Sequence, residues 1–335
     1  LADGWERVNI AVGVQPRAIA HRRRDNCPYK AAMISIRRSP PALLASLLLL
    51  LAPACGSAQD TPPAAPAGVS VPAKPALWKV SDKDTTIWLF GTIHILPAGI
   101  DWYRGPIAEA LDGSDTLVTE IVEPNDRAVQ ARVAQIALSD PPANLRDKLP
   151  PEIRKDYEAT LATLHLPVSA FDANDPWYAA VALSTLPLMK DGYGTMNGAE
   201  ALLIAHSQGK QRLGLETAEM QLGLFDALPQ DTQAKYLNEV LEDFPNVGDE
   251  VRAMIEAWKD GAADKLAQLM NEDESDPRLM KVLLVDRNKA WAKWIEQRLK
   301  QPGTVFVAVG AGHLAGQDSV QAQLAKDKVK AQRVR

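Results

Sequence analysis

Cysteine is almost absent from this chain: 335 residues contain two, Cys27 and Cys55. From Cys55 onward that residue stands alone, so the downstream chain has no disulfide and no thiolate chemistry, and ordinary packing must stabilise it. Histidine is scarce as well, with five in the whole chain. Positive charge is in deficit. From Cys55 onward 39 acids face 29 bases, a formal charge of −10, which argues against nucleic acid as a partner because phosphate-binding faces need positive potential. Motifs with well-understood chemistry are missing too: there is no HExxH, no GxSxG and no glycine-rich phosphate loop followed by Lys-Ser/Thr. The glycines of GAGHLAG, residues 310–316, lack the GxGxxG spacing, which makes nucleotide binding a poor expectation.

The longest apolar run, residues 42–52, is too short to cross a bilayer and remain there. It lies within residues 33–58, MISIRRSPPALLASLLLLLAPACGSA, where Met33 opens the segment, Arg37 and Arg38 supply a positive flank, and small residues follow. That is the pattern of a secretory signal and implies an exported, periplasmic or membrane-anchored bacterial protein. Cys55 follows Ala52, Pro53 and Ala54 in an approximation of a lipobox, so lipidation at Cys55 and plain cleavage after Ala54 or Ala58 stand as alternatives. Residues 1–32 read as an upstream extension of the gene model, with a long basic leader as the alternative. Residues 59–75, rich in proline and alanine, read as an extended tether. Residues 76–330 carry the folded part.

Within that part the spacing predicts a hairpin over 76–81 and 85–94, a strand over 115–124, a short strand in QRLGLET, and a last strong strand over 304–314. Helices are expected at 104–113, 126–138, 172–189, 197–209, 230–243, 247–259, 261–271, 276–303 and 318–329, with a small helical element and then a longer helix within 144–164, and with Asp175 and Pro176 opening one and Gly303 stopping another. Strands near the ends and helices between them predict an α/β fold with a central sheet and a large helical insertion. The two halves, each contributing a GxxH motif, would then be pseudo-symmetric.

Those motifs are the most unusual feature. TTIWLFGTIHILP, residues 85–97, and TVFVAVGAGHL, residues 304–314, each run from strand-like text into Gly-x-x-His and place His94 and His313 at strand ends. Two imidazoles begin a divalent-metal site, and Glu120 in DTLVTEIV is the nearest third ligand, because an acid closing an apolar strand must be paired, bound or solvated. Glu200 in NGAEALL and Glu216 in GLET are candidates for proton transfer, although each also suits a simple structural role at a helix start or turn. Arg287 and Asn288 sit on a helix with Trp291 and Trp294, and Arg287 shares its face with both tryptophans. Such an arginine needs a carboxylate partner or a developing anion to bind.

Taken together, FGTIHILP, TLVTEI, GAEALLIAHSQGKQRLGLET, DRNKAWAKWI and FVAVGAGHLAG resemble the TraB/GumN family, whose wider superfamily includes the Tiki proteases. The resemblance runs from about Leu77 to Val329 and matches His94, Glu120, Glu200, Glu216, Arg287, Asn288 and His313 to the family's motifs. It implies a metalloprotease-like hydrolase that acts on peptides, and the mixed His/carboxylate set leaves manganese, cobalt or zinc open as the ion. His94, His313 and Glu120 would hold the ion, Glu200 or Glu216 would move protons, and Arg287, paired with Asn288 in the family's motif, would stabilise negative charge on a tetrahedral intermediate. A non-enzymatic periplasmic binding or scaffold protein that keeps the family cleft, and an esterase or other small-molecule hydrolase, are the alternatives.

Overall fold

Aromatic and β-branched residues concentrate where the central sheet forms, since such side chains pack well on a pleated surface. The computed structural model describes residues 71–122, 127–271 and 276–335. The expected extension at 1–32, the signal segment at 33–58 and the tether up to residue 70 lie outside the described residues. The strands are β1 (Val71–Pro72), β2 (Leu77–Ser81), β3 (Thr85–Thr92), β4 (Ile100–Asp101), β5 (Thr116–Thr119), β6 (Gln211–Gly214), β7 (Gly303–Gly310) and β8 (Gln332–Arg333). Six of them form one mixed sheet in the order β6-β5-β7-β3-β2-β8. The first four in that order are parallel neighbours, whereas β2 runs antiparallel to both β3 and β8. β1 and β4 form a separate parallel pair.

The helices are α1 (Pro106–Asp112), α2 (Arg127–Ile136), α3 (Leu145–Lys148), α4 (Pro151–Thr163), α5 (Pro176–Lys190), α6 (Ala199–His206), α7 (Ala218–Asp226), α8 (Gln230–Asp243), α9 (Val247–Lys259), α10 (Ala263–Asn271), α11 (Pro277–Met280), α12 (Asp286–Arg298) and α13 (Val320–Lys326). Asp175 stands at the N-cap position of α5 with Pro176 in the first turn, as the sequence predicts, but its carboxylate accepts from Ser139 and Lys148 and makes no bond to the helix backbone. Among the described residues no helix is long and apolar enough to cross a membrane.

Period-two alternation sorts the sheet's side chains onto two cores. Phe90 and Phe306 pack on one face with Trp102 and Trp258, while Ile87, Leu89, Val305, Val307 and Val309 pack on the other with Trp291. A third core among the helices is centred on Tyr157, Trp177 and Leu237.

Three expectations change. The last strand stops at Gly310, and Ala311–Leu314 turns as a 3-10 helix. The turn is close: a Cβ at Gly91 would lie 3.0 Å from the Ala311 Cα, so β3 needs a glycine beside it. The helical run over 277–298 is interrupted by a π segment at Lys281–Val285, and Gly303, at φ 126°, opens β7 instead of ending the helix. The fold also shows no pseudo-symmetric halves. β3 is entered through an antiparallel hairpin and β7 through a helix, and the strand order does not repeat.

Candidate functional site

The parallel pairing of β3 with β7 and of β7 with β5 brings three carboxyl ends to one edge of the sheet. His94 lies two residues beyond β3, Glu120 directly follows β5, and His313 sits in the 3-10 turn after β7. Glu216 follows β6, and α12 carries Arg287 and Asn288 across these ends. His94, Glu120, Glu200, Arg287, Asn288 and His313 are all buried.

Arg287 is the hub. Its Nε donates to Glu216 Oε1 at 2.9 Å, one terminal nitrogen donates to Glu120 Oε2 at 2.6 Å and Glu216 Oε2 at 2.9 Å, and the other reaches the Leu283 carbonyl and His313 Nε2, each at 3.1 Å. All five N–H donors of the guanidinium are therefore used. The Trp291 ring lies 4.7 Å from the guanidinium, and its indole N–H donates to Glu216 Oε1 at 3.0 Å. Glu120 Oε1 accepts from the Gly310 backbone N–H at 2.7 Å. The Gln221 amide donates to Glu120 at 2.8 Å and to Glu216 at 3.2 Å.

His313 is held equally firmly. Its Nδ1 stands 2.6 Å from Asn288 Oδ1, an acceptor, while its Nε2 faces an arginine donor, so the tautomer that suits both neighbours carries its hydrogen on Nδ1. Asn288 in turn donates to the Asp318 carbonyl at 2.8 Å. Burial and then the Arg287 charge push the His313 pKa down to about 3, which keeps the ring neutral. Burial alone would raise Glu120, but Arg287, followed by His313, His94 and the Gly310 N–H, lowers it to about 2.

His94 and Glu200 form a second, adjacent group. His94 Nδ1 and Glu200 Oε1 approach to 2.7 Å, a buried contact that becomes an ion pair when the imidazole is protonated. Burial is the largest influence on His94 and opposes protonation, but the Glu200 carboxylate, through its charge and hydrogen bonding, and the Glu120 charge together outweigh it and raise the pKa. Helix α6 brings Glu200 here because the Ala199 N–H donates to the Ile93 carbonyl at 3.0 Å. Gly198 fits against His94, and a Cβ there would overlap the His94 carbonyl oxygen.

These contacts correct the expected metal centre. Among the described residues no group of three or more His, Cys, Asp or Glu is placed to hold a metal ion. His94, His313 and Glu120 do not fit one, because in two of the three, His313 and Glu120, the lone pairs that would face an ion are directed at N–H donors. His313 Nε2 accepts from Arg287, and both Glu120 oxygens accept from the guanidinium, Gln221 or Gly310. The expectation of a manganese, cobalt or zinc cofactor therefore fails, and the metal-dependent peptidase, metalloprotease-like reading fails with it.

The structure thus gathers Glu120, Glu216, Arg287, Asn288 and His313 into one network and sets His94 with Glu200 beside it. Gln221, which bonds both Glu120 and Glu216, belongs to no motif legible in the sequence. Gln221 lies on α7, one turn after the Leu-Glu-Thr segment, and that spacing was its only signal.

These features define an α/β protein with a buried polar network at the carboxyl ends of parallel strands. Residues 76–333 match the model of the TraB/PrgY/gumN family, and the chain belongs to that family. Comparison with curated proteins and with solved structures finds no match.

Proposed function

We propose that this protein is a non-enzymatic binding or scaffold protein acting outside the cytoplasm, in the periplasm or anchored through Cys55, which keeps the family's site as an internal support. One observation carries this reading: every N–H of Arg287 is bonded within the protein, so the side chain best suited to meet a developing anion is already committed. Glu120, Glu216 and His313 are committed to the same hub, which leaves none of them open as a base toward a substrate. The leader at residues 33–58 supports export.

The reading is tested by incubating the full chain with a panel of peptides, esters and amides. Hydrolysis stays at the solvent rate and does not change in His94→Gln, while His94→Gln unfolds at lower urea concentration. Turnover above background that disappears in His94→Gln would overturn the reading in favour of an esterase or another small-molecule hydrolase.

A further inference from the structure

Helices α9 and α10 cover the end of β3, and between them lies a cavity of about 30 Å³. Val251, Met254 and Ile255 of α9 and Leu266 and Met270 of α10 form its apolar walls. One end is polar: Thr92 and His94 line it, and both side chains are more than nine-tenths buried. Thr92 Oγ1 and His94 Nε2 have no hydrogen-bond partner. Buried polar atoms are normally satisfied, so two orphans at the same cavity wall call for an occupant.

The occupant's chemistry follows from the walls. A net charge is excluded by the desolvation cost of entering an apolar cavity whose imidazole already faces the Glu200 carboxylate. A hydroxyl or primary amide both gives and accepts hydrogen bonds and so suits Thr92 and either proton state of His94. The cavity as it stands has room for about one or two water molecules. Met254 and Met270 make it expandable, because unbranched thioether side chains re-pack readily around a guest.

We infer that this cavity is a binding pocket for a neutral small molecule with a hydroxyl or primary amide head on a short apolar body. The head meets Thr92 and His94, and the body displaces Met254 and Met270. The inference rests on the binding-protein reading above and names its ligand class.

Isobutanol, isobutyramide, isobutyrate and isobutylamine are titrated into the full chain while the His94 imidazole resonances are followed by NMR. Isobutanol and isobutyramide shift them saturably, and the two charged probes do not. Thr92→Val removes one hydroxyl at nearly constant volume and weakens both neutral probes roughly fivefold to tenfold. Met270→Ala, which enlarges the pocket without touching its polar end, tightens them. Shifts that never saturate, equal binding of isobutyrate, or unchanged affinity in Thr92→Val would overturn the pocket and leave an ordered water as the occupant. The same spectra separate the two readings. Release of isobutyrate from isobutyramide would sink the non-enzymatic reading while supporting the pocket, whereas absence of binding sinks the pocket alone.

Discussion

At Arg287 the chain settles a conflict between burial and charge. Two carboxylates and one guanidinium leave water together, and their mutual hydrogen bonds must offset the desolvation of all three. The protonation behaviour that follows is specific. Glu120 and His313 both have folded pKa values below their ordinary ones, about 2 and about 3, so each contributes stability above its unfolded pKa that is lost as pH falls. His94 works in the opposite sense: its raised folded pKa stabilises below its ordinary value of 6.5, and that contribution is lost as pH rises through the folded value. Below pH 6.5 the His94 contribution is complete and constant, so the loss from His313 and then Glu120 governs, and the urea midpoint is expected to drop steadily between pH 6.5 and pH 3. A midpoint that rises over that interval would mean the network does not exist in solution. Much of this was legible in the sequence. An acid ending an apolar strand and an arginine on a tryptophan face are each costly alone, and the structure pairs them with each other. What was not legible is the direction of the histidine lone pairs, which depends on partners distant in sequence.

At the scale of elements, α6 and β3 are fitted through Gly198. Its missing side chain lets the helix start press against His94 and deliver Glu200 to the imidazole. Gly198→Ala is expected to destabilise by about 1–3 kcal/mol, as overpacking does, and to shift the His94 imidazole resonances. Stability and resonances that both stay at parent values would show that the helix start does not position the pair. Most helices were readable from their apolar spacing, but α7 was not. In AEMQLGLFD the run Leu222, Gly223, Leu224 and Phe225 blurs the period, and the start depends on Thr217 accepting from the Met220 N–H. The final strand was read too long because GAGHL is apolar enough to continue it. The chain instead turns at Ala311–Leu314, and the absence of a side chain at Gly91 leaves room for that turn.

Across the whole molecule, the site exists because β5, β7 and β3 lie side by side although helices separate them in sequence. No local pattern encodes that adjacency, and for this reason the paired GxxH motifs suggested a symmetry that the fold does not have. They are alike because both follow neighbouring parallel strands, with Thr92 beside Gly310. The side chains gathered there hold one another, and the central claim is that this mutual bonding is their role. The most direct test compares urea unfolding at pH 7 of the parent chain, Arg287→Met, and the triple variant Arg287→Met, Glu120→Gln, Glu216→Gln. Removing the arginine alone strands two buried carboxylates and should cost about 3–5 kcal/mol, whereas neutralising both acids as well should recover most of that loss. An Arg287→Met protein as stable as its parent, or a triple variant no better than the single one, would contradict the account.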